Sequence, residues 1–476
     1  MTAVKAQIVI IGGGGAGLAA AVEAVERGAS DIIVIEKRAA LGGNSALAGG
    51  LFACESPVQI RQRIMADKDY LFKKAMDWAH WCTSPALLRA FINKSGDTIK
   101  WLEEKGLEFD LIHFYPNQQP PVQHNPRGNG AHLIQVLAGQ CRQSGVQIFL
   151  QAEAIKIQRD KEGKVAGVLA VKEGQEIEIK AGSVLVTTGG FAGNSELMDR
   201  YFPHHRGLAH SGLPLHGDGI ALAAGTGAAI ENSATLLKEG PRYDLHRWPL
   251  MALERDPATL WVNKNGERFT DESTGYHIFE CANAVMRQPE KLCFTLLDTR
   301  VRRYFEREGL KLVRRSGGDE AGSVRAELEK AFHEGMKADK VRISGSWDDI
   351  ADWIGAEKNV LKNTVARYNS SCRRGYDALF AKERKYLLPL NIAPYYAIKD
   401  LTVVLDTIGG IRINERMEVL DPRNIPIPGL YAAGVVTSGW EPEIYCSELS
   451  ASAFGFAVNS GRIAGENAVS YNRRAG

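Results

Sequence analysis

Three glycines near the start of the chain have the spacing of a phosphate-binding turn. Gly12, Gly14 and Gly17 follow the apolar run 6–11 and match the pattern G-x-G-x-x-G. Glycines at these positions let backbone N–H groups approach a pyrophosphate and let a helix pack closely on a strand. Glu36 ends a second apolar run nineteen residues after Gly17, where a carboxylate accepts hydrogen bonds from an adenosine ribose. The spacing predicts a strand–turn–helix–strand unit that binds a dinucleotide without a 2′-phosphate.

A second glycine-rich stretch, LGGNSALAGG at 41–50, follows the first after about thirty residues. Two such stretches at this separation indicate that the dinucleotide contains a flavin. Hydride chemistry at flavin N5 places negative charge on N1 and the C2 carbonyl, so a helix N-terminus should face that edge. The small residues 450–453 at the predicted start of the last helix allow this approach, and an ordinary serine N-cap is the alternative.

The composition excludes several classes of protein. Lysine and arginine total 58 against 56 acidic residues, a net charge of +2, so neither nucleic acid nor an anionic membrane is expected as a partner. The seven cysteines form no C-x-x-C pair and no cluster with metal-ligand spacing, which is typical of reduced thiols and predicts no metal site. No export signal or apolar run of membrane-spanning length is visible, so we expect a cytoplasmic protein without a membrane span.

The pattern along the chain predicts a discontinuous domain with an insertion. Helical spacing covers 67–105, a proline-rich loop covers 109–130, and strands at 146–158, 164–172 and 176–180 resemble a β-meander before a buried strand at 183–188. From 234 to 405 the chain has more charge and long helical stretches. We therefore predict one domain from 1–233 and 406–476, and a second domain at 234–405.

Four motifs in order resemble one family of flavoproteins: IGGGGAGLAAA at 11–21, LGGNSALAGG at 41–50, VLVTTGGFAG at 184–193, and IPGLYAAGV at 427–435 with GRIAGENA at 461–468. The family contains soluble fumarate reductases, succinate dehydrogenase flavoprotein subunits and 3-ketosteroid Δ1-dehydrogenases, and the chain resembles the last branch most. The resemblance implies an α/β fold with a glutathione-reductase-like FAD-binding domain, a Rossmann-type parallel sheet plus β-meander, and an inserted α+β cap domain that carries the substrate site.

The resemblance also implies how FAD is bound. Membrane-type members attach FAD to a histidine after the second motif, whereas this chain has Asn44, Ser45 and Ala46 there, which predicts non-covalent FAD. The residues expected to contact FAD are Gly12, Gly14, Gly15, Ala16, Gly17, Glu36, Lys37, Gly42, Gly43, Asn44, Ser45, Gly49, Gly50, Ala154, Thr188, Gly189, Gly190, Asp218, Gly434, Ser450, Ser452 and Ala453.

Three positions separate the branches of this family. Fumarate reductases use a cap-domain arginine as proton donor, a second arginine near the last helix, and a histidine before a Thr-x-Gly-Gly motif. By register these positions hold Tyr276, Glu448 and Asp406. The resemblance therefore implies that the groups that bind a dicarboxylate are missing.

Ketosteroid dehydrogenases carry tyrosines that this chain matches better. The resemblance implies that Tyr276 is the base toward the carbon α to a ketone, and that Tyr445, eleven residues after Gly434, binds the carbonyl oxygen. Tyr115 from the proline-rich loop is the candidate that assists the base. For each tyrosine the alternative is a structural core position with a satisfied hydroxyl.

Arg255 lies twenty-one residues before Tyr276, the spacing of a proton-relay arginine in the fumarate branch. A phenol has a reference pKa of about 10, so a cationic neighbour or a second tyrosine is needed for it to act as a base at neutral pH. Arg255 is therefore expected to lower the pKa of the tyrosine hydroxyl. A surface salt bridge of Arg255 to Glu254 or Asp256 is the alternative.

The favoured hypothesis is an FAD-dependent oxidoreductase that transfers hydride between flavin N5 and the β carbon of a small carbonyl compound. The reaction would be α,β-desaturation of a ketone or the reverse enone reduction, with an external electron acceptor or donor as partner. One alternative is a reductase of an unsaturated carboxylic acid that uses His124, Arg127 or Arg242 as an anion site. The other is a non-catalytic electron-transfer flavoprotein.

Overall fold

The computed structural model describes residues 2–115, 118–242, 249–309 and 321–475. The chain forms two compact units, one of Met1–Leu237 with Leu405–Gly476 and one of Lys238–Val404. The boundaries predicted from the sequence, at 233/234 and 405/406, lie close to these divisions. The chain passes from the first unit to the second within one strand and returns within another.

The elements up to the first boundary are β1 (Thr2–Ile11), α1 (Gly15–Glu26), β2 (Ile32–Glu36), β3 (Leu51–Phe52), α2 (Pro57–Arg61), α3 (Lys68–Trp78), α4 (Pro85–Glu103), β4 (Phe109–Ile112), β5 (Gln123–Pro126), α5 (Asn129–Gln143), β6 (Gln147–Leu150), β7 (Ala152–Arg159), β8 (Val165–Lys172), β9 (Gln175–Val186), α6 (Ser195–Tyr201), β10 (Ala209–His210), α7 (Asp218–Ala224) and β11 (Ile230–Arg242). After β11 come α8 (Leu250–Glu254), β12 (Leu260–Val262), α9 (Ile278–Met286), β13 (Leu292–Asp298), α10 (Thr299–Glu308), α11 (Ala321–Lys337), β14 (Val341–Ser344), α12 (Trp347–Ile354), α13 (Lys358–Arg374), β15 (Tyr395–Ile411), β16 (Glu418–Leu420), β17 (Pro426–Ala432) and α14 (Ser452–Ala475).

A parallel sheet forms the centre of the first unit. Its strand order is β17-β9-β1-β2-β6, with β16 antiparallel to β17 at one edge. Residues 8–11 of β1 pair with 32–35 of β2 on one side and with 183–186 of β9 on the other. These runs are buried and mostly aliphatic, as strands covered on both faces must be. The predicted α/β fold with a Rossmann-type sheet is confirmed.

The β-meander consists of β7, β8 and β9, which pair in antiparallel order. The predicted single strand 146–158 is wrong, because β6 pairs with β2 of the parallel sheet and the chain turns at Gln151, φ +52°, before β7 pairs with β8. The predicted separate strands 176–180 and 183–188 are also wrong. They are one strand, β9, that pairs with β8 through 175–180 and with β17 through 184–186.

The segment 109–130 is not a loop throughout. β4 and β5 pair antiparallel, and β5 also pairs with β3, which follows the second glycine motif. On β5, His124 is fully buried, with Nε2 2.7 Å from Ser56 Oγ and Nδ1 3.0 Å from Val122 O. The strands are missed from the sequence because each has only four residues and β5 is held partly by the distant strand β3.

Two glycines let α14 lie directly on α1. A Cβ on Gly461 would lie 2.2 Å from Ala16 O, and a Cβ on Gly465 would lie 2.5 Å from Ala20 O. These distances are far shorter than any normal carbon–oxygen contact, so only glycine permits this backbone approach. The residue numbers increase together along both helices, so α1 and α14 run parallel.

Arg462 adds an ion pair to the same contact. Its buried guanidinium donates from Nε to Glu23 Oε2 (2.8 Å) on α1 and from Nη1 to Asp97 Oδ2 (3.0 Å) and Thr98 Oγ1 (2.9 Å) on α4. Burial alone raises the pKa of Glu23, but the guanidinium of Arg462 outweighs this effect and lowers it. One side chain thus joins three helices of the first unit.

The second unit is an antiparallel sheet covered by helices. β13 lies between β12 and β15, and β14 pairs with residues 395–398 of β15. Its core includes Phe305, Phe332, Ile350 and Leu361 from the helices α10 to α13. Gly355, at φ +81°, separates α12 from α13. In the part of the chain that the structure describes, no helix is both long and apolar enough to cross a membrane.

Replacing Arg462 by Met should lower the free energy of unfolding by about 2–3 kcal/mol, because Glu23 would keep its burial and lose its buried guanidinium partner, retaining only the half-exposed Arg27 (Nε to Oε1, 3.0 Å). Urea denaturation measures the loss. Arg474→Met on the same helix is the control, since Arg474 is exposed, and we expect a change within about 0.5 kcal/mol. Equal losses in the two variants would contradict the assigned role of Arg462.

Candidate functional site

The two glycine motifs of the first unit lie side by side at the carboxyl end of β1. Gly42 N–H donates to Gly13 O (2.8 Å), and Gly14 forms an isolated parallel bridge with Gly42. Gly15 N–H donates to Ser45 Oγ (3.1 Å). Residues that are about thirty positions apart in sequence therefore form one surface.

This surface leaves space beside the backbone. A Cβ on Gly43 or Gly49 would meet no heavy atom of a non-neighbouring residue within 4 Å, and one on Gly14 would meet only Gly42 O at 3.7 Å. Gly14 is the N-cap of α1 and makes no side-chain cap hydrogen bond. Open space next to the N-terminus of α1 suits a phosphate group.

Backbone amides hold the Glu36 carboxylate against the first glycine turn. Gly13 N–H donates to Oε2 and Arg38 N–H donates to Oε1, both at 2.8 Å. Only 9% of Glu36 is exposed, at the end of β2. The side chain therefore occupies the position from which a carboxylate can accept hydrogen bonds from a ribose.

Lys37 and Asp218, both predicted to line the cofactor, meet at the surface of the first unit. Lys37 Nζ lies 3.2 Å from Asp218 Oδ2 and 2.8 Å from Glu153 Oε1. Ala154 follows Glu153 on β7 and is buried. About half of the lysine side chain is exposed, so these ion pairs contribute little to stability.

The loop after β9 provides further predicted contacts. Thr188 Oγ1 is buried and has no hydrogen-bond partner among the described residues. Gly189 adopts φ +80°. A buried hydroxyl without a partner is costly, so this oxygen fits a position that a polar ligand satisfies. Gly434, at φ +80°, donates its N–H to Ser460 Oγ (2.9 Å) and lies close to Ala16.

Asp406 contacts the second glycine motif through Asn44. Asn44 Nδ2 donates to its Oδ2 (2.7 Å), and Thr407 N–H donates to its Oδ1 (2.8 Å). A Cβ on Gly190 would lie 2.2 Å from Asp406 Oδ1, so glycine is required there. Burial raises the pKa of Asp406 to about 6, against the lowering effect of these two hydrogen bonds. The carboxyl group is therefore ionised at neutral pH.

Several residues that were predicted to contact FAD or substrate lie near the start of α14. Phe52 N–H, two residues after Gly50, donates to Ala451 O (3.1 Å). Ala453 N–H donates to Tyr445 Oη (3.0 Å). Tyr445 is 3% exposed, and burial together with the neighbouring Glu441 raises its pKa. Tyr445 therefore keeps its proton at neutral pH.

Tyr115 belongs to a loop that is attached to the same helix start. Gln118 N–H donates to Tyr115 O (3.1 Å), and Gln118 Nε2 donates to Ser450 Oγ (3.2 Å). Phe114 N–H donates to Gln118 Oε1 (2.8 Å). Gln118 thus joins the loop to Ser450. It was not predicted from the sequence, because nothing about a glutamine in a proline-rich segment indicates a contact with a helix.

Glu441 is a second residue that sequence reasoning missed. Its Oε1 accepts the N–H of Cys446 (2.5 Å), and its Oε2 lies 3.5 Å from Ser452 Oγ. Burial raises the pKa of Glu441 to about 8. The only signal in the sequence is an acid within the segment SGWEPEIYC at 438–446.

The second unit holds Tyr276 at the end of the 3₁₀ turn Glu272–Tyr276. Its hydroxyl donates to Tyr386 Oη (3.3 Å), and 8% of the residue is exposed. Burial, the Asp256 carboxylate and the bond to Tyr386 raise the pKa of Tyr276. Tyr386 lies in the charged segment KERKYLL at 382–388, where the sequence gives no sign that a tyrosine accepts a hydrogen bond from Tyr276.

The expectation that Arg255 lowers the pKa of Tyr276 is wrong. Arg255 is buried and donates from Nη2 to Glu239 Oε2 (3.1 Å) and from Nε to Pro241 O (3.2 Å). The charge that acts on Tyr276 is the carboxylate of Asp256. The alternative of a surface salt bridge is also wrong, because the guanidinium is inside the second unit with Glu239 as its ion-pair partner.

Buried ion pairs fix the turn that ends in Tyr276. Glu272 Oε2 lies 2.7 Å from Arg268 Nη2 and 3.0 Å from Lys382 Nζ, and the Glu272 and Lys382 side chains are fully buried. Arg268 Nη1 also lies 2.7 Å from Asp377 Oδ2. Burial alone raises the pKa of Glu272, but Lys382 and Arg268 outweigh it and lower the pKa. The motif VNKNGERFTDES at 262–273 is thus explained as a support for the turn.

Each group named for the alternative anion site has a different state or partner in the structure. Burial lowers the pKa of His124 to about 4, so the imidazole is neutral at pH 7. Arg127 is paired with Glu108, and Arg242 is paired with Glu239. Within the described ranges, no group of three or more His, Cys, Asp or Glu side chains is placed to hold a metal ion.

Comparisons with known proteins identify the family. A family model described as an FAD binding domain matches residues 7–442. Vinyl phenol reductase of Lactiplantibacillus plantarum is 28% identical, over 98% of this chain and 97% of that protein. A fumarate reductase (cytochrome) of Shewanella frigidimarina is 28% identical, over 98% of this chain and 77% of that protein.

Solved structures show the same fold. A 3-ketosteroid Δ1-dehydrogenase from Sterolibacterium denitrificans superposes with a TM-score of 0.79 at 18% identity, over 98% of this chain and 99% of that one. The open conformation of a flavocytochrome c3 fumarate reductase gives 0.78 at 24% identity, over 98% of this chain and 79% of that one. The chain belongs to the FAD-binding family, and the protein is an FAD-dependent oxidoreductase.

Proposed function

We propose that this flavoenzyme reduces a carbon–carbon double bond conjugated to a carbonyl group, or catalyses the reverse desaturation, with Tyr276 as the proton-transfer residue. Bound FAD supplies hydride chemistry, which no side chain can supply. Two sequence relatives are reductases of unsaturated compounds by name. The first unit carries the residues that fit FAD, and the second unit is the proposed substrate cap.

The state of the Tyr276 hydroxyl is the observation that carries this proposal. It is a nearly buried phenol that donates to Tyr386, and its pKa is raised by burial and by Asp256. A phenol that keeps its proton at neutral pH can donate it to a carbanionic carbon, but it is a poor base. The chemistry of Tyr276 therefore favours reduction. In that role the Tyr276 proton turns from Tyr386 to the carbon α to the carbonyl, and the Tyr386 hydroxyl, 3.3 Å away, then donates its own proton to the Tyr276 oxygen.

Tyr445 is the proposed ligand of the carbonyl oxygen. Its Oη accepts the N–H of Ala453, which places the hydroxyl at the N-terminus of α14. A donor aimed at the oxygen that gains charge stabilises the enolate in the transition state. The backbone of a 24-residue helix supports this donor with the positive end of its dipole.

The substrate is proposed to be an uncharged carbonyl compound, and an external electron donor is proposed to reduce the flavin. Two positions where dicarboxylate reductases carry cationic or imidazole groups are acidic here. Glu448 is paired with Lys74 Nζ (2.7 Å), and Asp406 is bound by Asn44. Like charges disfavour a carboxylate ligand at these positions.

FAD should leave the denatured protein intact, because no histidine lies in the second glycine motif. Heating or acid precipitation followed by absorbance of the supernatant measures released flavin. Flavin that stays in the protein pellet would contradict non-covalent binding.

Replacing Glu36 by Ala should weaken FAD binding by about 1–3 kcal/mol, since charge-assisted hydrogen bonds to the ribose are lost. Titration of apoprotein with FAD, followed by flavin fluorescence, gives the dissociation constant. Glu153→Ala is the matched control, because Glu153 lies in the same region with a half-exposed side chain, and we expect a change of at most about 0.5 kcal/mol. Unchanged affinity in Glu36→Ala would place the ribose elsewhere.

Replacing Tyr276 by Phe should lower kcat for enone reduction by about 10² to 10⁴ with little change in KM, since the ring stays and the proton donor is lost. Steady-state reduction of 2-cyclohexen-1-one, with reduced methyl viologen as the continuous electron donor, measures the effect. Tyr376→Phe is the control, because Tyr376 is an exposed tyrosine of the second unit. Native turnover in Tyr276→Phe would remove Tyr276 from the mechanism.

A further inference from the structure

The second unit contains a cavity of about 170 Å³ that the proposed chemistry does not use. One side of it comes from β13 and β15, where Phe294 pairs directly with Lys399 in the antiparallel register. Directly opposed residues of an antiparallel pair point to the same face of the sheet, so both side chains line the cavity. Trp353 and Ile354 of α12 also line it.

The apolar part of the cavity is held in place by its own contacts. Phe294 and Ile354 are each 3% exposed. The Phe294 and Trp353 rings meet edge to face, with centroids 5.5 Å apart and an angle of 74° between their planes. Trp353 Nε1 donates to Asp339 Oδ1 (2.8 Å), which fixes the indole. The cavity therefore presents a preformed aromatic surface to a ligand.

The charged groups that line the cavity leave one cation for a ligand. Lys264 forms an ion pair with Glu290, and Asp339 accepts the indole N–H of Trp353. Lys399 is half-buried, and its ammonium group has no hydrogen bond or ion pair in the described part of the chain. Removing an ammonium group partly from water without a partner is unfavourable, so a carboxylate that reaches Lys399 recovers the lost interaction.

The volume of the cavity restricts the ligand to a small molecule. A cavity of about 150 Å³ holds one benzene ring, whereas pockets for drug-sized ligands enclose about 300–1,000 Å³. A flavin, a nucleotide or a steroid skeleton is therefore too large for this cavity. An inorganic anion would reach the lysine but would leave the aromatic surface in contact with water.

We infer that this cavity is a binding site for a small aromatic carboxylate, whose ring packs against Trp353 and Phe294 and whose carboxylate accepts a hydrogen bond from Lys399 Nζ. The ring removes apolar surface from water, and the charge-assisted hydrogen bond selects an acid over a neutral analogue of the same shape. The site belongs to the second unit alone, so the inference does not depend on the function proposed for the flavin.

A fluorine NMR titration of the FAD-bound protein with 4-fluorobenzoate tests the inference. We expect saturable broadening of the fluorine signal, and weaker binding of the neutral analogue 4-fluorobenzamide. Lys399→Met should weaken 4-fluorobenzoate binding by about three- to tenfold, since the ion pair is lost. Lys399→Arg should restore binding, because the cation is retained. Lys330→Met removes an exposed lysine of the same unit and should leave binding unchanged.

Two further measurements locate the probe. Saturating 4-fluorobenzoate should leave the flavin absorption spectrum unchanged, and excess 2-cyclohexen-1-one should not displace it. Four results would overturn the inference: no saturable binding, native affinity in Lys399→Met, displacement by the enone, or displacement by an equal concentration of inorganic phosphate. The flavin spectrum and the urea unfolding midpoint of each variant confirm that it is folded. Because no turnover is measured, failure of the proposed function and failure of this inference are separate results.

Discussion

The backbone contact between α1 and α14 is the constraint on which the rest of the first unit depends. Gly461 and Gly465 remove the side chains that would separate the two helices, and the helices run parallel. Parallel helices place their N-termini at the same end. One N-terminus is the glycine turn that fits a phosphate, and the other carries Ser452 and Ala453 beside Tyr445. Two positive dipole ends on one side suit a cofactor that carries negative charge on its pyrophosphate and, when reduced, on its flavin ring.

In the second unit a different interaction gives rigidity to the 3₁₀ turn Glu272–Tyr276, in which the residues before Tyr276 are polar or glycine. Glu272, Arg268 and Lys382 provide this rigidity through ion pairs from which water is excluded. A buried ionic cluster is weak evidence for stability, but its partners stay together because each is costly to leave alone. The cluster therefore explains why several charged residues precede Tyr276 in the sequence.

The parts of the structure that follow from short-range sterics are predictable from the sequence. Gly12, Gly14 and Gly17 predict the turn, and Glu36 predicts the end of the second strand, because each depends on residues nearby in the chain. Tyr386 and Gln118 are not predictable, because they act only after distant segments pack together. Arg255 shows the same limit. Its spacing from Tyr276 can be read from the sequence, but its ion-pair partner, Glu239, is determined by how the chain folds.

The position of the insertion gives the fold a further property. The chain leaves the first unit within β11 and re-enters it within β15, and the two crossing points are neighbours there, because a Cβ on Gly409 would lie 2.8 Å from Ala234 Cβ. Neighbouring exit and entry points mean that a segment of any length can be inserted with little cost in loop closure. The flavin-binding part can thus keep its packing while the segment between 238 and 404 diverges. Such modularity lets the inserted unit change in evolution without rebuilding the parallel sheet of the first unit.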